Sequence, residues 1–231
     1  MMSDRDNPWP ALGLGSPGPN VFLRGATELA RAMLGMVLAT DLAGGPTAGI
    51  IVETEAYAGV GDRGCHAFGG RRTPRLASLW GSGGRAYIFA IHSRWCFDVT
   101  AGPPGTPECV LVRAVEPLWG LETMATRRGM DPAPLLGLDP RKAPRKLTSG
   151  PAILCQALGI DGTFDGHDLS MPPLRLLQFR TAAAQAAPAA ATTLDIAVGP
   201  RVGIAYAGTD AALPYRFWLK GNRFVSGRPG S

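Results

Sequence analysis

The sequence is poor in lysine, sparing with cysteine and free of long apolar runs. Only Lys142, Lys146 and Lys220 are lysines among 23 basic residues, so arginine carries the net charge of +5. Arginine's planar fork matches phosphate and carboxylate oxygens two at a time. A phosphate-rich partner and an inert basic surface are both compatible with that excess. The four cysteines, Cys65, Cys96, Cys109 and Cys155, are scattered without a C-x-x-C pair. That excludes a disulfide scaffold and reads as reduced core thiols. No stretch approaches the roughly 18 apolar residues of a membrane span. The first residues lack the cationic and apolar segments of a secretory leader. A cytoplasmic protein without a membrane partner is therefore expected. The G-x-S-x-G elbow of α/β-hydrolases is absent, and so is the H-x-E with P-C-x-x-C pattern of zinc deaminases. His66 lies beside Cys65, but His92 and His167 complete no ligand cluster, so neither metal nor cofactor is expected.

Glycine and proline are abundant, with 31 and 21 residues, which excludes a long-helix bundle. Hydrophobic residues make up 45% of the 231, enough for one sizeable core. The proline-rich stretch 1–20 reads as a disordered tail, leaving one domain over 21–231. Helical spacing of Leu29, Ala30, Met33 and Leu34 predicts a helix over 26–34. Strands are expected over 36–42, 48–57, 86–91, 95–100 and 109–115. Helices are expected over 118–128 and from Ser149, with Pro151 in its first turn. The tail contributes strands at VGIAYAG (202–208) and YRFWL (215–219), after an alanine-rich linker over 182–191. Helices interrupting runs of strands indicate an α+β sheet. Between them, 58–84 reads as a long functional loop with a short helix near 75–80.

Charge is uneven along the chain: −3 over residues 1–61, +6 over 62–150 and +2 over 151–231. The same middle segment contains the long loop. Just before it, alternation in Val52-Glu53-Thr54-Glu55-Ala56-Tyr57 puts two carboxylates and a tyrosine on one strand face. Arg113 stands inside the apolar run Cys109–Val115 and demands an anionic partner, for which Glu53, Glu55 and Asp98 are the candidates. A Glu–Arg pair in a cleft keeps the carboxylate ionised, holds a water and suits a general base for hydrolysis; a structural ion pair is the competing reading.

IVETEAY (51–57), HAFGGRRTPR (66–75), VLVRAVEP (110–117), LTSGPAILCQALGID (147–161) and RVGIAYAG with Tyr215–Trp218 occur in that order. Together they resemble the alkyladenine (3-methyladenine) DNA glycosylase family over about residues 22–225. The resemblance implies a curved, mostly antiparallel sheet flanked by helices, with a protruding β-hairpin. It implies a monomeric, nucleoid-associated, cofactor-free enzyme acting on double-stranded DNA that contains damaged purines. The purine is flipped out and its N-glycosidic bond hydrolysed. Glu55 then matches the general base and Arg113 the residue that helps hold the water. Tyr57 and His66 form the pocket walls, with Phe89 where the family usually has tyrosine. Arg71, Arg72, Arg75, Arg141, Lys142, Arg145 and Lys146 are the expected contacts to the DNA backbone.

The sequence departs from the family pattern at three places. Asp98 replaces an asparagine, which would admit guanine lesions or raise Glu55 through like-charge repulsion. The hairpin is one residue shorter, and His92 aligns with the intercalating tyrosine; Trp95 and Arg94 are the other candidates for the wedge. Ile153 replaces a lysine. These changes leave open a damage-binding protein of the same fold with little hydrolytic activity. A hydrolase of free nucleosides is the third reading.

Overall fold

The structure, a computed structural model, describes residues 8–180 and 194–227. Nine strands, β1 Leu14–Gly15, β2 Val37–Leu42, β3 Gly45–Tyr57, β4 Ala86–Ile91, β5 Arg94–Ala101, β6 Glu108–Trp119, β7 Leu174–Phe179, β8 Ile196–Gly199 and β9 Arg216–Leu219, join in one sheet. Its order is β1-β7-β2-β3-β6-β5-β4, and every pairing is antiparallel. Strand β3 organises it: its first half pairs with β2, while Glu53–Glu55 pair with β9, and β6 runs along its other edge. Three α-helices, α1 Ala26–Ala32, α2 Leu121–Arg127 and α3 Pro151–Leu158, complete an α+β fold.

Strand alternation separates two cores. Ile88, Phe97, Val99, Val110 and Val112 join α1 and α3 on one face. Tyr87, Phe89, Cys96, Cys109 and Leu111 face the other way, onto Cys65, Leu76 and Leu79 of the long 58–84 loop. A face covered by a loop instead of a helix is where the chain has polar groups to spare. All four cysteines are free and buried. No helix among the described residues is long and apolar enough to cross a membrane.

Several boundaries differ from the sequence reading. Strand β6 runs on to Trp119, and Gly120 at φ +78° turns the chain before α2, so the helix begins at Leu121 rather than 118. The expected helix near 75–80 is two 3-10 turns, Pro74–Leu76 and Ser78–Trp80. VGIAYAG is no strand: β8 precedes it, Gly203 and Gly208 have positive φ, and Ala205–Ala212 is a 3-10 segment. Its backbone serves the site described below instead of a ladder. The alanine-rich linker lies within 181–193, outside the described residues.

The disordered tail expected over 1–20 is corrected for residues 8–20. Trp9 is 1% exposed, packs with Leu14, Val37 and Leu177, and donates its indole N–H to Asp41 at 2.9 Å. Leu14–Gly15 pairs with β7. Proline content marks stiff chain here, and a buried indole supplies the anchor that composition does not register. We expect Trp9→Phe, which keeps an aromatic ring but loses the N–H donor and part of the buried volume, to cost at least about 1–2 kcal/mol of stability. Denaturant titration would read it; an unchanged midpoint would restore the disordered tail.

Candidate active site

The site grows from one row of the sheet. Glu55 on β3 lies opposite Leu111 on β6, and Leu111 opposite Asp98 on β5. Directly opposed residues share a face, so both carboxyls stand on the loop-covered side, about 10 Å apart at Cα, two strand spacings. The β3–β6 register shifts between Thr54–Val112 and Glu53–Ala114, leaving Arg113 as the extra residue of a bulge. That bulge lets one guanidinium reach two carboxylates: Nε meets Glu53 at 2.9 Å and Nη1 meets Glu55 at 3.2 Å. Of the three candidate partners, Arg113 takes both glutamates and not Asp98.

The two glutamates differ in what else holds them. Glu53 is fully buried and accepts from Arg113, from Arg216 at 2.8 Å and from the backbone N–H of Ser226. Both its oxygens are engaged, and Arg216 in turn donates to the Ser226 carbonyl. Glu55 is also fully buried, but every partner it has lines a cavity. Arg113 and the Val202 N–H, at 2.7 Å, share its Oε1, and the Tyr57 hydroxyl donates to Oε2 at 3.0 Å. Burial pushes the Glu55 carboxyl up from its ordinary value, outweighing Arg113, the Val202 N–H and the Tyr57 hydroxyl, which pull it down. The arginine thus moderates the rise without reversing it. The like charge of Glu53 adds to the rise.

The cavity is about 410 Å³, ample for a purine base, and aromatic residues line it. Tyr57 comes from the end of β3 and Phe89 from β4, while the loop supplies His66. The His66 ring meets Phe89 edge-on, with centroids 4.6 Å apart, and its Nδ1 lies 2.7 Å from the Tyr87 hydroxyl. Burial, with Arg75 and Arg71 nearby, pushes the imidazole below its ordinary value, toward the neutral form. Arg201 buttresses the opposite wall. Its guanidinium lies 4.8 Å from the Tyr57 ring centre and pairs with Asp62. Burial alone would raise Asp62, but Arg201 and the Ala58 and Gly64 N–H groups hold it below its ordinary value.

Asp98 lines the same cavity and is 2% exposed. The Cys109 thiol donates to its Oδ2 at 3.1 Å, and Oδ1 has no hydrogen-bond partner. Burial pushes its carboxyl up to about 7, with Glu55 adding to the rise and the thiol opposing it.

Next to the cavity the β4–β5 hairpin ends in a two-residue turn, His92-Ser93, with both φ values positive, as the twist of a tight hairpin requires. Ile91 through Trp95 are all exposed at its tip. The structure divides the wedge candidates. His92 lines the cavity together with Ile91, whereas Arg94 and Trp95 line a separate groove with Arg128 and Gln156 on the α3 side. Trp95 lies so close over Gly162 that a Cβ there would sit 2.6 Å from its ring.

The basic residues are also sorted. Arg71, Arg72, Arg75, Arg141, Lys142, Arg145 and Lys146 are all exposed. Arg72 stacks on Trp80 at 3.6 Å, and Arg75 reaches the Ala90 carbonyl of the hairpin. Arg141 pairs with Asp139 at 3.0 Å. Arg145 spends its guanidinium on the carbonyls of Val225 and Gly227, next to the Ser226 that holds Glu53.

Sequence reasoning missed Arg216, Arg201 and the Val202 N–H. Arg216 carried a usable signal, since an arginine inside YRFWL poses the same demand as Arg113 inside its own strand. The Val202 backbone contact carries none, because it comes from chain conformation and not from residue type.

A family model described as Methylpurine-DNA glycosylase (MPG) matches residues 20–223. The chain is 39% identical over 199 residues to a Bacillus licheniformis protein, covering 86% of this chain and 90% of that one. It is 40% identical over 214 residues to a Bacillus cereus protein, covering 90% and 98%. With Bacillus subtilis the figures are 36% over 212 residues, 91% and 97%. All three carry the name "Putative 3-methyladenine DNA glycosylase".

Proposed function

Since the chain belongs to the methylpurine-DNA glycosylase family and is on that ground a DNA glycosylase, we propose that it flips a damaged purine out of duplex DNA and hydrolyses its N-glycosidic bond with Glu55 as general base. The observation that carries this reading is the Glu55 carboxylate itself. It is buried directly behind Tyr57, Arg113 and Val202, three residues of the cavity wall. A carboxylate oxygen offers two lone pairs, so Oε2 keeps one beside the Tyr57 hydroxyl for a water. Arg113 steadies the carboxylate, and the water loses its proton to Glu55 as it attacks the sugar C1′. No amine nucleophile stands in this arrangement, so the product is an abasic site without strand cleavage.

Binding follows from the cavity and its rim. Flipping costs a few kcal/mol. Aromatic faces such as Tyr57, Phe89 and His66 return roughly 1–3 kcal/mol per stacked base. The wedge that fills the gap in the duplex is assigned to His92 with Ile91, on the support that both line the cavity at the hairpin tip while Trp95 packs against Gly162.

Duplexes carrying hypoxanthine, ethenoadenine or methylated purines test the reading, with abasic sites as the readout. Product supports the glycosylase; tight binding without product supports the damage-binding alternative. Product from free nucleosides alone supports a nucleoside hydrolase.

The basic loop gives a separate expectation. Lys142 and Lys146 are exposed, while Arg145 is held by backbone carbonyls. We expect Lys142→Gln or Lys146→Gln to lower the salt slope of DNA binding by about one unit. Filter binding across salt concentrations would show it. An unchanged slope in both would remove this loop from the DNA interface.

A further inference from the structure

Two carboxyls serve one cavity in opposite surroundings. Glu55 has a guanidinium, a backbone N–H and a hydroxyl directed at it. Asp98 has a single thiol, on Oδ2, and its Oδ1 is buried and unpartnered. No cation pairs with it among the described residues. The titratable groups that feel its charge are Glu55 and Tyr57 on β3, Tyr87 on β4, Cys96 on β5, Cys109 on β6, Cys65 in the loop and Cys155 on α3. Each of these is neutral or becomes anionic on ionising; of the other groups lining the cavity, Arg113 is committed to Glu53 and Glu55, and burial pushes His66 toward its neutral form. A carboxylate buried on such terms is costly, and the neutral acid is the natural occupant. Paired carboxyls whose environments push them apart in this way sort into an acid and a base.

We propose that Asp98 is the general acid of base excision, delivering its proton to a ring nitrogen of a neutral purine as that purine leaves. The proposal rests on the excision reading above and deepens it. In the step, the C1′–N9 bond breaks and its electron pair stays with the purine. The proton on Asp98 passes to the purine ring, which departs neutral. Water forms the new C1′–O bond and gives its proton to Glu55. Asp98 is left ionised and Glu55 protonated, and exchange with solvent restores both. A base that is already cationic through alkylation leaves neutral without this proton. Asp98 therefore serves the release of neutral purines and is dispensable for cationic ones.

Single-turnover excision tests this, using duplexes that carry hypoxanthine as the neutral base or 3-methyladenine as the cationic one. Asp98→Asn keeps the size and shape of the side chain and removes the transferable proton. It is expected to slow hypoxanthine release by roughly 10²- to 10⁴-fold, the usual share of general acid catalysis, and to change 3-methyladenine release only a few-fold. The unmodified protein supplies an independent measurement. Its hypoxanthine rate should fall with rising pH above about 7, where Asp98 loses its proton, while its 3-methyladenine rate should not. Equal slowing of both bases by the variant would overturn the proposal, as would matching alkaline limbs for both. A wild-type protein that releases only the cationic base would also overturn it, leaving excision itself intact. Release of neither base would overturn the excision reading, and this inference with it.

Discussion

Glu53→Gln is expected to lower the stability of the fold by about 3–5 kcal/mol, the usual cost of removing one partner from a buried ion pair. Glu53 is the hub of three chain segments. It receives Arg113 from β6, Arg216 from β9 and the Ser226 N–H from the C-terminal stretch. Removing its charge leaves Arg216 without an anionic partner, and Arg113 with Glu55 alone. The amide also turns an N–H₂ toward groups that only donate. In a domain of this size the loss corresponds to a fall in Tm of about 10 °C. Calorimetry would measure it. A shift under 2 °C would mean that the two guanidinium groups find water, and that the burial described here is not the working state.

Glu55→Gln has the opposite signature. The fold should hold better, because Arg113 keeps Glu53 and the amide oxygen still accepts from the Val202 N–H. Excision should fall by roughly 10²- to 10⁴-fold, since the amide cannot take a proton from water. DNA binding should survive, because the aromatic cavity and the basic loop are untouched. The wild-type acid limb carries a further mark. Burial raises the Glu55 carboxyl, and only its ionised form acts as a base. The rate should therefore begin to fall, on acidification, at a higher pH than an ordinary glutamate would give. Measuring both substrates removes ambiguity, because this limb belongs to Glu55 and is common to neutral and cationic bases.

Much of this was legible in residue patterns. Alternation in β3 put Glu53, Glu55 and Tyr57 on one face, and an arginine inside an apolar strand announced a buried partner. What alternation cannot register is the bulge at Arg113, which turns a choice between two glutamates into contact with both. The division of labour between them then comes from distant chain: Ser226 and Arg216 cage Glu53, while Val202, a residue of the cavity wall, donates its N–H to Glu55. Such contacts span well over a hundred residues of sequence and rest partly on backbone N–H groups that any residue carries. Trp9 shows the same limit from the other side. Its neighbours read as tail, and only the fold provides the apolar edge that buries it. The hairpin tip was readable as a tip, but facing direction is a matter of packing, and Gly162 takes Trp95 away from the cavity.

The most direct test is single-turnover release of hypoxanthine from a duplex by the wild-type protein, Glu55→Gln and Glu53→Gln, each assayed at a temperature where it is folded. The account predicts an abasic site for every bound duplex with the wild-type protein, continued release by Glu53→Gln, and a rate lower by at least about a hundredfold in Glu55→Gln with binding retained. Release by Glu55→Gln at the wild-type rate would contradict it.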